Sequence, residues 1–210
     1  MALILTSASG LRHVAAMLSR RLILMGFCTL PLPAHASLRR YELEPRASRA
    51  GFTYWMNGAR RNGEMPVGRA DFQIDPSDLA ASSTDVTLRA DRVRAGFFLV
   101  TGILKSAAML DTDRFPTIRF VSTAVRPAPS GRLSDGAKLA GDLTIRDVTR
   151  AVTFDTVFMP RAGSAPNDLS RLTVRLTGQI SRSSFGASGY RALVGDEVGL
   201  NVVMAMRAIN

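Results

Sequence analysis

The fold is decided by the stretch Leu104-Lys-Ser-Ala-Ala-Met-Leu-Asp-Thr-Asp-Arg-Phe-Pro-Thr-Ile-Arg-Phe-Val-Ser122, where a helical apolar pattern passes directly into an alternating strand pattern. Apolar residues recur at helical spacing from Phe97 to Leu110, and turn-forming residues then end the pattern. Pro116 holds the residue before it in an extended conformation, so a strand should follow, with Ile118 and Phe120 on one face. A short helix joined to a sheet of alternating strands predicts a lid on a barrel.

Alternation of apolar and polar residues predicts strands on both sides of this stretch. The segment from Asn57 to Pro66, with two Asn-Gly pairs around two arginines, is interpreted as an exposed basic loop. Arg161 to Asn167 is a second predicted loop. The total is about eight or nine strands and one helical insertion, spaced as in an antiparallel all-β barrel closed on itself. Eight strands enclose either a side-chain core or one small ligand, so strand count leaves both interiors open.

The composition suits one globular domain. The 210 residues are 46% hydrophobic and 21% charged, which is ordinary for a folded protein. The net charge of +10 is spread along many strands, and the chain has one Trp and three Tyr, so no stacking platform for nucleic acid is visible. A basic surface favours anionic phosphate or lipid head groups, although a merely soluble basic surface explains it equally well.

The N-terminus has the pattern of an export signal. A pair of arginines at 20–21 precedes an apolar run at 22–30 that is too short to span a membrane, and Ala34-His35-Ala36 supplies a small-x-small cleavage site. Met17 is an alternative start, and the arginine pair also resembles a twin-arginine signal, with ordinary secretion the simpler interpretation. The predicted organisation is a cleaved signal peptide at 1–36 and one barrel domain at 37–210, located in the periplasm.

Removal of this leader would remove three reactive side chains. Both histidines, His13 and His35, and the single cysteine, Cys28, lie before the predicted cleavage site. The expected mature chain therefore has no residues for Ser-His-Asp or Cys-His nucleophilic sites, for His or Cys zinc sites, or for disulfides. We expect no cofactor and no metal, apart from a bound isoprenoid lipid or quinone.

Three motifs in order resemble the YceI family. They are the opening stretch at 104–122, Gly141-Asp-Leu-Thr-Ile-Arg-Asp-Val-Thr-Arg150, and Ile180-Ser-Arg-Ser-Ser-Phe-Gly186 followed by Val194-Gly-Asp-Glu-Val198. The resemblance implies an eight-stranded antiparallel lipocalin-like barrel, exported to the periplasm, that holds an isoprenoid chain such as a quinone or polyprenyl lipid. Family members often carry histidines near the first long strand, whereas this chain has Ala47 to Phe52 and then Asn57 there, so any ligand contact through those histidines is lost.

The leading hypothesis is a non-enzymatic carrier or sequestering protein for an isoprenoid or similar amphiphilic lipid. An apolar chain gains about 25 cal/mol for each Å² removed from water, so a dry tunnel binds it with few specific contacts. The helical segment would gate one mouth of the barrel. A transient contact with a membrane surface and a homodimer are both compatible with the sequence. The residues predicted to contact the ligand are Phe52, Tyr54, Phe72, Ile74, Leu88, Phe97, Leu104, Phe120, Leu143, Val152, Phe154, Leu172, Val174, Leu200, Val202 and Met204.

Two other classes remain open at this point. One is a secreted barrel with a packed lumen that acts in protein interaction or stress response. The other is a hydrolase working through Asp111, Asp113 or Asp142. Asp111 and Asp113 lie in a turn beside Pro116, where aspartate is common for turn hydrogen bonds. A rigid corner that sets the angle of the lid is therefore the preferred interpretation of these residues.

Overall fold

The computed structural model describes residues 38–160 and 168–209, and the predicted signal peptide and the predicted loop at 161–167 lie outside them. Ten strands and one α-helix follow one another in this part of the chain. Their bounds are β1 Arg39–Leu43, β2 Arg49–Met56, β3 Ala59–Met65, β4 Val67–Ile74, β5 Ser83–Arg89, α1 Phe98–Lys105, β6 Thr117–Pro127, β7 Ala137–Ile145, β8 Val148–Pro160, β9 Arg171–Ser181 and β10 Val194–Ile209.

These strands form a closed antiparallel barrel. The sheet order is β1-β4-β5-β6-β7-β8-β9-β10-β2-β3, and an additional pairing of β1 with β10 closes the ring. Strands β1 and β2 lie end to end beside β10, and β3 and β4 lie end to end beside them. Each of these two pairs fills one position in the ring. Ten strand segments therefore build the eight-stranded barrel that the sequence predicts.

The break between β1 and β2 is bridged by one side chain. Pro45 has no N–H to donate and begins a 3₁₀ turn that interrupts the ladder to β10. The Ser48 hydroxyl accepts a hydrogen bond from the Ala205 N–H at 2.9 Å and donates one to the Glu44 carbonyl at 2.9 Å. The kink thus loses little backbone pairing, and the wall of the barrel stays continuous.

The segment predicted as a basic loop is mostly strand. Residues Ala59–Met65 pair along their whole length with β2 across a turn at Asn57 and Gly58, both of which have positive φ. Their side chains are mainly exposed, so the strand has no apolar alternation to reveal it. Backbone pairing with β2 determines this element, and the loop interpretation was wrong because Asn62-Gly63, taken as a second turn signal, lies within the strand.

The helix predicted between Phe97 and Leu110 is shorter than expected. Helix α1 ends at Lys105, and turns carry the chain on to β6. Asp111 adopts positive φ at the corner, and its carbonyl accepts hydrogen bonds from the Arg114 and Phe115 N–H groups. None of the helices within 38–160 and 168–209 has the length and apolar character needed to cross a membrane.

Candidate ligand-binding lumen

The barrel encloses an apolar cavity of about 220 Å³. A single water needs about 10–15 Å³ on this measure, so the space far exceeds the small voids of a packed core. Its wall is built from the inward-facing residues of the strands and from the segment that follows β5. The structure therefore has an open lumen, which the sequence alone could not distinguish from a filled one.

Most of the residues predicted to contact a ligand line this cavity. They occupy alternate positions on the strands, because successive side chains in a strand point to opposite faces. Leu104 is the one contribution of α1 to this set, and it is buried. The predicted residues found in the wall are Phe52, Tyr54, Phe72, Ile74, Leu88, Leu104, Phe120, Leu143, Phe154, Val174, Leu200, Val202 and Met204.

Three predicted residues do not reach the cavity. Phe97 immediately precedes α1 and is 64% exposed, because the helix turns its N-terminal end towards solvent. Leu172 is buried in the core at the start of β9, near the end of the barrel opposite α1, and it lies outside the cavity wall. Val152 is half-buried and packs against the core without lining the cavity. These three residues lie outside the lumen wall, and their contact with a ligand stays a prediction.

Three inward-facing glycines fix the aromatic part of the wall. A Cβ atom on Gly63 would lie 2.2 Å from the ring of Phe52, and one on Gly178 would lie 2.4 Å from the ring of Phe154. Phe120 covers Gly141 in the same way, and its ring centroid lies 5.5 Å from that of Phe154. Each ring occupies the space that a side chain would otherwise fill on a neighbouring strand. These aromatic residues are therefore held flat against the wall, which leaves the lumen open.

The sequence analysis missed several residues of the wall. Met65 lies in β3, which was interpreted from the sequence as a loop, and Phe185 lies in a 3₁₀ turn with no periodic pattern. Met109 and Leu110 were assigned to the helix but not to the ligand contacts. Others follow the apolar alternation of their strands, so the pattern contained the signal for them although they were not named as ligand contacts. These are Val86, Ile118, Leu139, Phe158, Leu176 and Ile180.

Few polar side chains interrupt this apolar wall. Thr84 and Thr156 line the cavity, and each has a buried hydroxyl oxygen with no hydrogen-bond partner within the described residues. Thr84 is near the start of β5, and Thr156 pairs with Ala137 at the start of β7. Both therefore lie towards the end of the barrel opposite α1. A ligand with a neutral hydroxyl or carbonyl group could satisfy them there.

Arg182 brings the one buried guanidinium of the described chain to the opposite end of the cavity. It is 6% exposed and donates hydrogen bonds to the carbonyl groups of Val194 at 2.7 Å, Gly195 at 2.8 Å, and Gly189 at 2.9 Å, and also to that of Ala187. Burial lowers the pKa of this guanidinium. Its donors hold the turn between β9 and β10 closed, so the residue acts first as a structural clamp.

Tyr54 connects the wall to the segment before α1. The Tyr54 hydroxyl donates to the Ala95 carbonyl at 3.5 Å, and burial raises the pKa of the phenol while the charge of Arg61 opposes that rise. The phenol stays neutral and keeps its proton for this contact at physiological pH.

The turn considered for hydrolysis is tied into ion pairs. Asp111 is 6% exposed, and its carboxylate lies 3.4 Å from the Arg114 guanidinium and 3.8 Å from that of Arg146. Asp113 and Asp142 are exposed to solvent, and neither lines the cavity. Within the described residues, no group of His, Cys, Asp or Glu is arranged to hold a metal ion. The three carboxylates do not form one site.

An eight-stranded antiparallel barrel with an apolar lumen and a short helix over one end belongs to the class of small barrels that can enclose one ligand. A family model described as "YceI-like domain" matches residues 41–206. The chain is therefore a member of the YceI family.

Curated relatives support this assignment over part of the chain. A UPF0312 protein from Pseudomonas fluorescens is 36% identical over 118 residues, which is 55% of this chain and 58% of the relative. A UPF0312 protein from Staphylococcus aureus (strain MSSA476) is 36% identical over 91 residues, which is 43% of this chain and 47% of the relative. The chain thus spans about half the length of the curated relatives it matches.

Solved structures show the same fold at low sequence identity. Burkholderia cenocepacia BcnA superposes with a TM-score of 0.67 at 19% identity, covering 78% of this chain and 99% of that protein. A polyisoprenoid binding domain from Saccharophagus degradans, implicated in plant cell wall breakdown, has a TM-score of 0.57 at 12% identity and covers 80% of this chain and 98% of that domain.

Proposed function

We propose that this protein is a periplasmic binding protein that holds an isoprenoid or a similar long apolar lipid in its lumen, as a carrier or a sequestering protein. The observation that carries the proposal is the apolar cavity of about 220 Å³ inside the closed barrel. The related fold of a polyisoprenoid binding domain from Saccharophagus degradans supports the choice of ligand class.

Desolvation supplies the binding energy in this proposal. Each Å² of apolar ligand surface removed from water contributes about 25 cal/mol, and an apolar lumen needs few directional contacts with the ligand. A long lipid would therefore bind by its tail, with selectivity for its polar end limited to the few hydroxyls in the wall. The protein has no chemical step of its own in this proposal, and release depends on opening the lumen.

The periplasmic location rests on the signal pattern in the sequence. The basic pair at 20–21, the apolar run at 22–30 and the small residues around Ala36 match the parts of an export signal. A fusion of residues 1–36 to a reporter that is active only outside the cytoplasm tests this location. An inactive fusion, with full activity from a known export signal in the same reporter, would contradict it.

Direct identification of the bound lipid tests the binding function. Protein purified from its own periplasm is examined by native mass spectrometry and then extracted with organic solvent. We expect one lipid for each chain, with a long apolar tail. A mass equal to that of the bare polypeptide, together with an empty extract, would refute the proposal.

A variant that fills the lumen provides the matched comparison. Val174 lines the cavity, whereas Val157 points outwards and is 42% exposed. Val174→Trp should lose most of the bound lipid, because the larger side chain occupies the path of the tail. Val157→Trp should keep it. Circular dichroism on both variants separates loss of binding from loss of fold.

A further inference from the structure

The N-terminal end of α1 exposes three consecutive apolar side chains. Phe97, Phe98 and Leu99 are 64%, 90% and 76% exposed, respectively. We name these three residues the apolar tip. Single exposed apolar residues are common on protein surfaces, but two adjacent phenylalanines followed by leucine form a contiguous projection.

Helical spacing explains why Phe98 and Leu99 of the apolar tip do not pack onto the barrel. Leu104 is buried in the lumen wall, and Val100 and Ile103 are half-buried against the core. These positions turn one side of α1 towards the barrel, and Phe98 and Leu99 then fall on the other side. Gly96, with φ of +81°, turns the chain immediately before the tip. The exposure is thus built into the direction of the helix.

Two arginines lie on the segments next to the apolar tip. The Arg61 guanidinium carbon lies 5.9 Å from the centre of the Phe97 ring. Arg94 is placed beside β3 by two backbone hydrogen bonds with Glu64, at 2.8 and 2.9 Å. Both Arg61 and Arg94 are exposed.

The charge around the tip is positive and not neutralised by ion pairs. None of these arginines forms a salt bridge with another residue in the described part of the chain. Asp91, three residues before Arg94, is held by Arg89 at 2.6 Å, and Glu64, whose backbone pairs with that of Arg94, is one acid beside two unpaired arginines. The surface therefore combines an apolar projection with a surplus of cations.

We propose that the apolar tip and its arginines dock on a lipid bilayer that carries anionic head groups. Phenylalanine and leucine side chains enter the boundary between head groups and acyl chains, while arginines extend to the phosphates. Charge complementarity favours the bilayer as the partner, because an apolar projection beside unpaired arginines of one sign matches acyl chains beneath anionic head groups.

Docking in this orientation brings the end of the barrel that carries α1 to the bilayer. The segment before the tip is joined to the lumen wall by the Tyr54–Ala95 hydrogen bond, and Leu104 on the same helix lines the cavity. Insertion of Phe98 would thus act on the element that covers the lumen. The docking itself depends on surface chemistry and holds whether or not the lumen carries a lipid.

Vesicle binding tests the proposal with the protein cleaved after Ala36. Flotation is measured with vesicles of phosphatidylcholine alone and of phosphatidylcholine mixed with phosphatidylglycerol. We expect binding to the anionic vesicles that weakens as salt increases, since the Debye length falls from about 10 Å at 0.1 M to about 3 Å at 1 M. Equal affinity for both vesicle types, or no binding to either, would overturn the proposal.

Variants of the tip and of the arginines identify the contact. Because Phe98 and Leu99 are exposed, the Phe98→Ser/Leu99→Ser variant should remain folded and lose about tenfold or more in affinity. Arg61→Gln/Arg94→Gln should lose affinity only for the anionic vesicles. Val157→Ser and Arg175→Gln change exposed residues of β8 and β9 and should bind as the unaltered protein does. Unchanged binding of the tip variant would refute the proposal.

A fluorescent reporter separates a bilayer from a protein partner. The chain has one tryptophan, Trp55, so Trp55→Phe/Phe98→Trp moves the fluorophore to the tip. Its emission should shift to shorter wavelength on anionic vesicles and should be quenched by brominated acyl chains. Emission that stays at the solvent-exposed wavelength while the protein is bound would show that the tip does not enter the bilayer, and would overturn the proposal.

Discussion

The guanidinium of Arg182 contacts the thioether of Met109, with 3.4 Å between Nη1 and Sδ. This contact joins the segment after α1 to the turn between β9 and β10. Two further hydrogen bonds lie beside it: the Gly189 N–H donates to the Ala108 carbonyl at 2.8 Å, and the Arg146 guanidinium donates to the Met109 carbonyl at 3.2 Å. The C-terminal part of the lid is therefore fastened to the barrel, whereas its N-terminal tip projects into solvent.

Loss of the buried guanidinium should strongly destabilise the fold. Arg182→Leu removes the donors for several buried carbonyl groups, each of which costs about 1–3 kcal/mol when left without a partner. We expect the free energy of unfolding to fall by about 3 kcal/mol or more in urea denaturation. Arg175→Leu, on the exposed face of β9, should change it by about 0.5 kcal/mol at most. Similar losses for both variants would contradict the clamp.

Removal of the unpartnered Thr156 hydroxyl from the lumen should raise the stability of the protein, whereas loss of Arg182 lowers it. Thr156 is 4% exposed, and its hydroxyl has no partner within the described residues. Thr156→Val keeps the shape and removes that polar group, so the lipid-free protein should gain up to about 1 kcal/mol of stability. Thr112→Val removes a buried hydroxyl that donates to the Lys105 carbonyl at 3.4 Å and should lose stability. Thermal unfolding after delipidation measures both, and a destabilised Thr156→Val would point to a bound water.

Two glycine-to-alanine substitutions should change the stability of the protein in opposite directions. Gly178→Ala would place its Cβ 2.4 Å from the Phe154 ring and push that ring into the lumen, which should cost about 1–3 kcal/mol. Gly102→Ala lies within α1 with nothing near its Cβ, so it should stabilise the helix by about 0.5–1 kcal/mol. Calorimetric unfolding distinguishes the two. A neutral Gly178→Ala would show that the aromatic wall yields more readily than its packing indicates.

Stability should fall in acid partly through Asp196. Hydrogen bonds from the Ser181 and Ser183 side chains hold the pKa of this carboxyl below its ordinary value. Because the pKa of Asp196 is lower in the folded state, the carboxylate stabilises the fold at pH values above its unfolded-state pKa of about 3.9. This stabilisation is lost as the pH falls through the folded-state pKa. Asp196→Asn should be destabilised at pH 7, and its difference from the unaltered protein should shrink below about pH 4. A difference that is constant with pH would rule out this linkage. Urea denaturation across that range measures it.

Much of the barrel was predictable because one face of each long strand is buried. Alternation placed most of the lumen wall correctly, from Phe120 on β6 to Met204 on β10. It failed for β3, whose exposed side chains show no buried face, and for Phe97, which precedes α1 in extended backbone and so does not follow the helical spacing. The openness of the lumen was also unpredictable, because it depends on where Phe52 and Phe154 rest against glycines on neighbouring strands.

The pairing of β1 with β10 has a consequence for biogenesis. Tyr41 pairs with Ala208, so the ring closes between segments that lie near opposite ends of the described chain. Contacts this distant in sequence form slowly, because the entropy of loop closure opposes them until other strands are in place. Strand β10 also supplies the partners of β2 and β9. During synthesis the lumen therefore cannot exist until β10 has emerged, so we expect a lipid to enter either as the ring closes or after folding is complete.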